Sequence, residues 1–170
     1  GVFFRGRLPR FQFLYTREIQ NAHTFDEVLA RGSSVVRWMA LGTLAAEIAR
    51  LHALGFVHRD LYLRNLLVTS EDGAAKVYFL DCWRGGPRRS IRGPSYDLAC
   101  FLLFAADLLS KDEQQAFFEA YLTPGLWPRR APERTRLLQR VQRQRARLAQ
   151  RFVARRREGS VLPIPTLTWD

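Results

Sequence analysis

The sequence predicts an α+β domain, mainly helical, in which one β-hairpin interrupts a run of helices and short strands come first. Three observations carry this expectation. Apolar residues recur at helical spacing after Ser33-Ser34 and again across 133–157. A turn-rich stretch, Thr69-Ser70-Glu71-Asp72-Gly73, separates two strand-like runs. Residues 2–19 read as two extended segments, the second of which, Phe11-Gln12-Phe13-Leu14-Tyr15-Thr16, alternates aromatic and polar positions as a half-buried strand does.

In chain order, residues 2–19 read as two extended segments around Leu8-Pro9-Arg10, the second being Phe11 to Thr16. Thr24-Phe25-Asp26-Glu27 is a capping-box pattern that starts a short helix through Ala30. Arg31-Gly32-Ser33-Ser34 breaks the chain and caps a longer helix. Val35, Met39, Leu44, Ile48 and Leu51 form its apolar face, and Gly55 stops it. A loop from Val57 to Asn65 leads into a hairpin over 66–80, and Arg84 to Pro94 is a loop rich in Gly, Pro and Arg. Helices are predicted at about 96–109, 112–122 and 133–157, followed by an extended Pro163-Ile164-Pro165 tail. No internal repeat is visible.

A length of 170 residues suits one domain with a real core. A composition 47% hydrophobic and 25% charged excludes wholesale disorder. The net charge of +11, from 27 basic against 16 acidic side chains, favours anionic partners: nucleotides, phosphorylated glycolipids, nucleic acid or an acidic membrane surface. Charge alone does not choose among them. Cys82 and Cys100 lie in apolar sequence without Cys-x-x-Cys spacing, which argues against a disulfide framework or zinc site and for a reducing compartment. The N-terminus shows no signal peptide pattern, and the most apolar stretch, Leu98 to Ala106, is too short to span a bilayer. These features predict a soluble cytoplasmic chain, peripheral at most.

The chemistry is concentrated in Leu51-His52-Ala53-Leu54-Gly55-Phe56-Val57-His58-Arg59-Asp60-Leu61-Tyr62-Leu63-Arg64-Asn65. A helix ends at glycine, and His-Arg-Asp, four residues and Asn follow, which matches the protein-kinase-type catalytic loop. Phosphoryl transfer needs a carboxylate to orient the attacking hydroxyl and accept its proton, and hard oxygen ligands to hold Mg²⁺ against the phosphates. Asp60 suits the first role. Asn65 and Asp81, the acid ending the next strand, suit the second. The ordered set of loop, Asn, hairpin and Asp is far more specific than His-Arg-Asp alone, and it points to a protein-kinase-like C-lobe.

The neighbouring residues admit plainer roles. His52 reads as a packed helix-end residue, and His58 as a residue that fixes the loop. Asp97 is either an N-cap or a buried acid tying the catalytic loop to its helix through backbone N–H groups.

The chain resembles the lipopolysaccharide kinases of bacteria, which phosphorylate Kdo or heptose sugars of the inner core. The likeness lies in His58 to Leu63, in Leu80-Asp81-Cys82-Trp83-Arg84, and in Arg89 through Tyr96-Asp97-Leu98-Ala99. It covers roughly residues 10–110. It implies an ATP- and Mg-dependent kinase for a lipopolysaccharide core sugar, with Asp60 as base in a catalytic set that includes His58 and Arg59. It further implies metal ligation by Asp81, and a hinge at Tyr15–Asn21 whose Thr16, Arg17, Glu18 and Ile19 meet adenine. Residues 1–20 would then be remnant N-lobe strands and hinge, and 21–170 the C-lobe. The resemblance favours the tie role for Asp97.

Departures from the pattern qualify the substrate. Arg64-Asn65 looks like the loop of a tyrosine kinase, but Asp81-Cys82-Trp83 replaces Asp-Phe-Gly and no Ala-Pro-Glu occurs. The span from Asp81 to Asp97 is too short to dock an extended peptide, and it suits a small or glycolipid hydroxyl. Neither a glycine-rich loop nor a strand lysine with a partner glutamate precedes residue 11, so the 170 residues alone are expected to show little or no activity. A pseudokinase or scaffold lobe binding an anionic partner stays open, as does a kinase for another small molecule or for protein.

Residues 129–157 hold twelve arginines against one acid, Glu133, with Leu138, Val141, Leu148 and Phe152 at helical spacing. The plain expectation is an amphipathic helix packed on the lobe with a solvated basic face. The sharper one is that this face meets anionic lipid headgroups or phosphorylated core sugar. No aromatic-interleaved motif accompanies the charge, which disfavours nucleic acid.

Overall fold

A computed structural model describes residues 2–5, 8–12, 17–71, 73–87, 91–123 and 131–157. The elements run β1 (Val2–Arg5), β2 (Leu8–Gln12), β3 (His23–Thr24), α1 (Phe25–Arg31), α2 (Ser34–Ala53) and β4 (Phe56–Val57). A single 3-10 turn (Leu63–Asn65) follows, then β5 (Leu66–Glu71), β6 (Ala74–Phe79), β7 (Gly86–Pro87), α3 (Arg92–Leu108), α4 (Lys111–Tyr121) and α5 (Ala131–Arg157). The predicted class holds: helices dominate, with small antiparallel sheets between them.

The strand pair at the N-terminus divides earlier than expected, with Leu8-Pro9-Arg10 inside the second strand rather than between the two. Pro9 lies inside β2, opposite Phe4, with an irregularity between Phe3 and Phe4. A two-stranded sheet leaves each strand an open edge, and there a proline costs no ladder bond. Residues 13–16, the rest of the expected strand, lie outside the described residues.

α1 begins as its capping box predicts, Thr24 N–H donating to Glu27 Oε2 at 2.8 Å. That bond holds the Glu27 carboxyl below its usual range. Ser33 Oγ accepts from Val36 N–H at 3.4 Å to start α2. The buried face of α2 is rotated from the predicted one. Leu41, Leu44, Ala45, Ile48 and His52 are buried, whereas Val35 and Met39 are exposed. Alanines 40, 45 and 49 share this face with Leu41, Leu44 and Ile48, and at 3.6 residues per turn Val35 and Met39 fall on the opposite side.

The hairpin forms as expected. Leu66 pairs with Phe79 and Glu71 with Ala74, with Gly73 at a φ of +77° in the tight connection. β3 adds to its other edge through His23 and Val68. The stretch 84–94, expected as a loop, also contains β7, which pairs with β4 through Phe56 and Pro87. α3 starts at Arg92 rather than near 96, because Pro94 falls in the first turn, where its missing N–H costs nothing.

The core joins the inner faces of α1, α2 and α3 to the hairpin, with Phe101 stacked on Phe117 at 4.8 Å and edge-on to Phe25. Arg37 ties α2 to three other helices at its rim. Its guanidinium grips both Glu113 oxygens at 2.8 Å and donates to the carbonyls of Leu29 and Leu108. Glu113 also caps α4 through Ser110 N–H. The Arg37 bonds hold the Glu113 carboxyl down at about 2. α5 packs along α3 through Leu137, Val141 and Leu148. Leu137, not Leu138, supplies the first contact because spacings of four and seven keep it on one face. Among the described residues no helix is long and apolar enough to cross a membrane.

Candidate active site

The catalytic loop leaves α2 at Gly55, whose φ of +79° lies in the region glycine enters freely. Two strand residues of β4 then carry the chain past α3 to His58. There it meets Asp97, fully buried on α3. His58 N–H donates to Asp97 Oδ2 and Arg59 N–H to Oδ1, both at 2.7 Å. Since α3 begins at Arg92, Asp97 is no N-cap, and of its two readings the loop tie is the one observed.

A second layer sits behind this clamp. His52 Nε2 is 3.2 Å from Asp97 Oδ2, and His52 Nδ1 is 2.8 Å from the Tyr121 hydroxyl. A proton on Nε2 lets His52 donate to Asp97 and accept from Tyr121. Burial first, and the Asp97 charge second, push the Tyr121 hydroxyl above its ordinary range, so it remains a donor. His52 is thus packed at the helix end as expected, but bonded at both nitrogens. Neither Asp97 nor Tyr121 is within α2, so α2, α3 and α4 meet at this point.

The clamp holds Arg59 at a φ of +67°, unusual for a long side chain. Such a backbone costs about 1–3 kcal/mol and persists only where its surroundings overdetermine it. The next residue, Asp60, is thereby turned outward with its side chain 21% exposed. Asn65 Nδ2 donates to Asp60 Oδ2 at 2.9 Å and to the Asp60 carbonyl at 2.8 Å. Arg64 lies farther from the carboxylate, at 3.4 Å, an exposed pair worth little. His58 is buried, with Nδ1 accepting from Asp60 N–H at 3.3 Å and its ring against Phe79. It fixes the loop.

Leu80 N–H donates to the Asn65 carbonyl at 2.8 Å, extending the hairpin ladder by one step. Asp81 comes next, exposed and at a φ of +56°. The structure therefore brings His58, Arg59, Asp60 and Asn65 into one loop and sets Asp81 immediately beyond the residue bonded to Asn65. Of the predicted adenine contacts, Thr16 lies outside the described residues, as does Tyr15. Arg17 and Glu18 are exposed and Ile19 half-buried, with no hydrogen bond to the catalytic loop among the described residues.

The donor set fits a hard cation. With Asn65 Nδ2 committed to Asp60, its Oδ1 is left as an acceptor, and Asp81 offers a second oxygen group. Among the described residues no group of three His, Cys, Asp or Glu side chains could hold a metal ion. Mg²⁺ does not need one, since it is commonly held by one or two protein oxygens together with substrate phosphates.

Sequence reasoning missed the cluster beneath the loop. Tyr62, Tyr96 and Cys100 interact there, and burial pushes the Cys100 thiol up to about 12 and raises both tyrosines. Cys82 is exposed rather than enclosed in apolar surroundings. Trp83 is 72% exposed, with the Arg84 guanidinium 4.5 Å over its ring, so it does not pack inward as the phenylalanine of Asp-Phe-Gly would. The segment after Asp81 turns back at once through Gly85 N–H to the Cys82 carbonyl at 2.7 Å.

Comparison with known proteins supports the architecture just described. The model of the lipopolysaccharide kinase (Kdo/WaaP) family matches residues 5–121. The chain belongs to this family. Among solved structures it is similar to WaaP in complex with acyl carrier protein, with a TM-score of 0.56 and 19% identity over 72% of this chain. At that identity the likeness concerns the fold, which is that of a kinase-like C-lobe. This chain spans 54% of that solved chain. No curated protein matches the sequence.

Proposed function

We propose that this Kdo/WaaP-family chain carries the catalytic lobe of an ATP- and Mg²⁺-dependent kinase that phosphorylates a sugar hydroxyl of the lipopolysaccharide inner core. The observation that carries the reading is the paired placement of Asp60 and Asn65, held by hydrogen bonds of 2.8 and 2.9 Å behind the Asp97 clamp. A carboxylate fixed in this way, and still reachable from outside, is what hydroxyl activation requires.

In the proposed reaction the acceptor hydroxyl donates its hydrogen bond to Asp60. As its oxygen bonds to the γ-phosphorus, the bond from phosphorus to the leaving ADP oxygen breaks and the hydroxyl proton passes to the Asp60 carboxylate. Asn65 Nδ2 holds Oδ2 in place, so Oδ1 is the oxygen facing the acceptor. Mg²⁺, held by Asn65 Oδ1 and Asp81, would neutralise charge on the phosphates. The backbone of residues 16–19 is proposed to meet adenine. Membership in a lipopolysaccharide kinase family and the short span after Asp81 both favour glycolipid over peptide.

The test is ATP-dependent phosphate transfer to core sugars by the full-length gene product and by its Asp60→Asn variant. Loss of a general base should lower kcat by about 10²–10⁴-fold. Equal transfer by both proteins would remove Asp60 from the mechanism.

A further inference from the structure

Next to Asp60 lies a cavity of about 390 Å³, a size within the range of small-molecule sites. Four arginines line it, Arg59, Arg64, Arg84 and Arg151, against one carboxylate, Asp60 itself. Neither Asn65 nor Asp81 borders the cavity, and neither do Arg17, Glu18 and Ile19. It therefore reaches the base without touching the residues assigned to metal and adenine. The space on this side of Asp60 is thus open to a molecule other than the nucleotide.

The charges in the wall are unbalanced. Arg64 approaches Asp60 only at 3.4 Å and rests over the Tyr62 ring. Arg84 stacks on Trp83. Arg59, Arg84 and Arg151 form no ion pair among the described residues. A guanidinium stays charged in any protein setting, and these four exposed ones concentrate positive charge around the cavity, which attracts an anion. Their planar forks match phosphate and carboxylate oxygens two at a time. The remaining wall is largely apolar, with half-buried Tyr96, Phe104 and Phe152 offering a surface for the uncharged body of a ligand. Arg151 and Phe152 come from α5, outside the residues matched by the family model. α5 is held there by Phe152 edge-on to Phe104 at 5.6 Å and by Leu148 in the core.

We propose that this cavity is the acceptor site and selects sugars that already carry a phosphate or carboxylate, gripped by Arg84 and Arg151 while the reacting hydroxyl faces Asp60. The assignment as acceptor site rests on the kinase reading of Asp60; anion recognition by the arginines does not.

The experiment measures equilibrium binding of glucose 6-phosphate, glucuronate and glucose to the full-length protein, with and without saturating ATP. These probes share a ring and differ in their anion. The phosphate or the carboxylate sugar should bind at least tenfold tighter than glucose, ATP should not displace it, and Arg151→Gln, at an exposed position, should erase most of that preference. In transfer assays the same variant should raise KM for a phosphorylated core acceptor about tenfold and leave KM for ATP unchanged. Equal binding of all three probes, displacement by ATP, or a KM effect confined to ATP would each overturn the subsite. Failure of the kinase reading looks different: transfer would be absent or indifferent to Asp60→Asn, while the anion preference in binding would persist.

Discussion

The Asp97 clamp yields a sharp prediction. In Asp97→Asn the volume is conserved, but one of the two oxygens becomes an NH₂ group. That group must face either His58 N–H or Arg59 N–H, each now 2.7 Å from an acceptor. A hydrogen bond to a charged acceptor contributes about 1.5–3 kcal/mol, and leaving a buried donor unpaired sits at the costly end of that scale. About 3 kcal/mol is therefore expected, a large share of the ~5–15 kcal/mol that holds a domain together. The loop has one escape, which is to release Arg59 from its φ of +67° and recover about 1–3 kcal/mol of backbone strain. That relaxation moves Asp60, and a displacement of about 1 Å at a reacting group costs on the order of 10²-fold in rate. Urea unfolding followed by circular dichroism should show a midpoint lower by about 1.5 M at a slope near ~2 kcal/mol/M. If the loop relaxes instead, the midpoint falls less and kcat falls by about 10²-fold or more. A variant within ~0.5 kcal/mol of the parent that also keeps its kcat within about threefold would refute the argument, because neither route would have been taken.

Two further outcomes follow from the packing. The folded-state Glu113 carboxyl lies at about 2, below its ordinary 4.5, so its contribution is complete above pH 4.5 and is lost as pH falls towards 2. That contribution is on the order of 3 kcal/mol, and the stability gap between parent and Glu113→Gln should close across this window; a gap that stays constant with pH would sink the assignment. At Gly93, a Cβ would come within 2.5 Å of Val57 Cγ1, a stiff β-branched side chain just before His58. Gly93→Ala should cost about 1–3 kcal/mol and be largely rescued by Val57→Ala, and two additive costs in the double-mutant cycle would disprove direct overlap.

Much of the site was legible because its members are close in sequence. His58 through Asn65 form one loop whose spacing is fixed by the chemistry, and the hairpin between Asn65 and Asp81 is announced by alternating residues and a glycine turn. The capping boxes at Thr24 and Ser110 are local as well, and the one at Thr24 is legible in Thr24-Phe25-Asp26-Glu27. Apolar character alone does not place a residue inside: Val35 and Met39 are large and apolar, yet they lie on the side of α2 away from Leu41, Leu44 and Ile48. In α5 the buried leucine is Leu137 rather than Leu138, because spacings of four and seven align it with Val141 and Leu148.

By itself the sequence determined the order of chemical groups: a carboxylate, an amide and a second carboxylate at separations that loop and hairpin geometry can bring together. Tertiary structure decided everything that depends on approach between distant segments. Asp97 could cap its helix or hold the loop, and only the crossing of β4 past α3, nearly forty residues apart in sequence, assigned it to the loop. Arg37 finds Glu113 across 76 residues, and Arg151 reaches the cavity of Asp60 only because α5 lies along α3. Local periodicity encodes which face of an element is apolar, but it carries no information on which other face will meet it. That choice is made when the core closes.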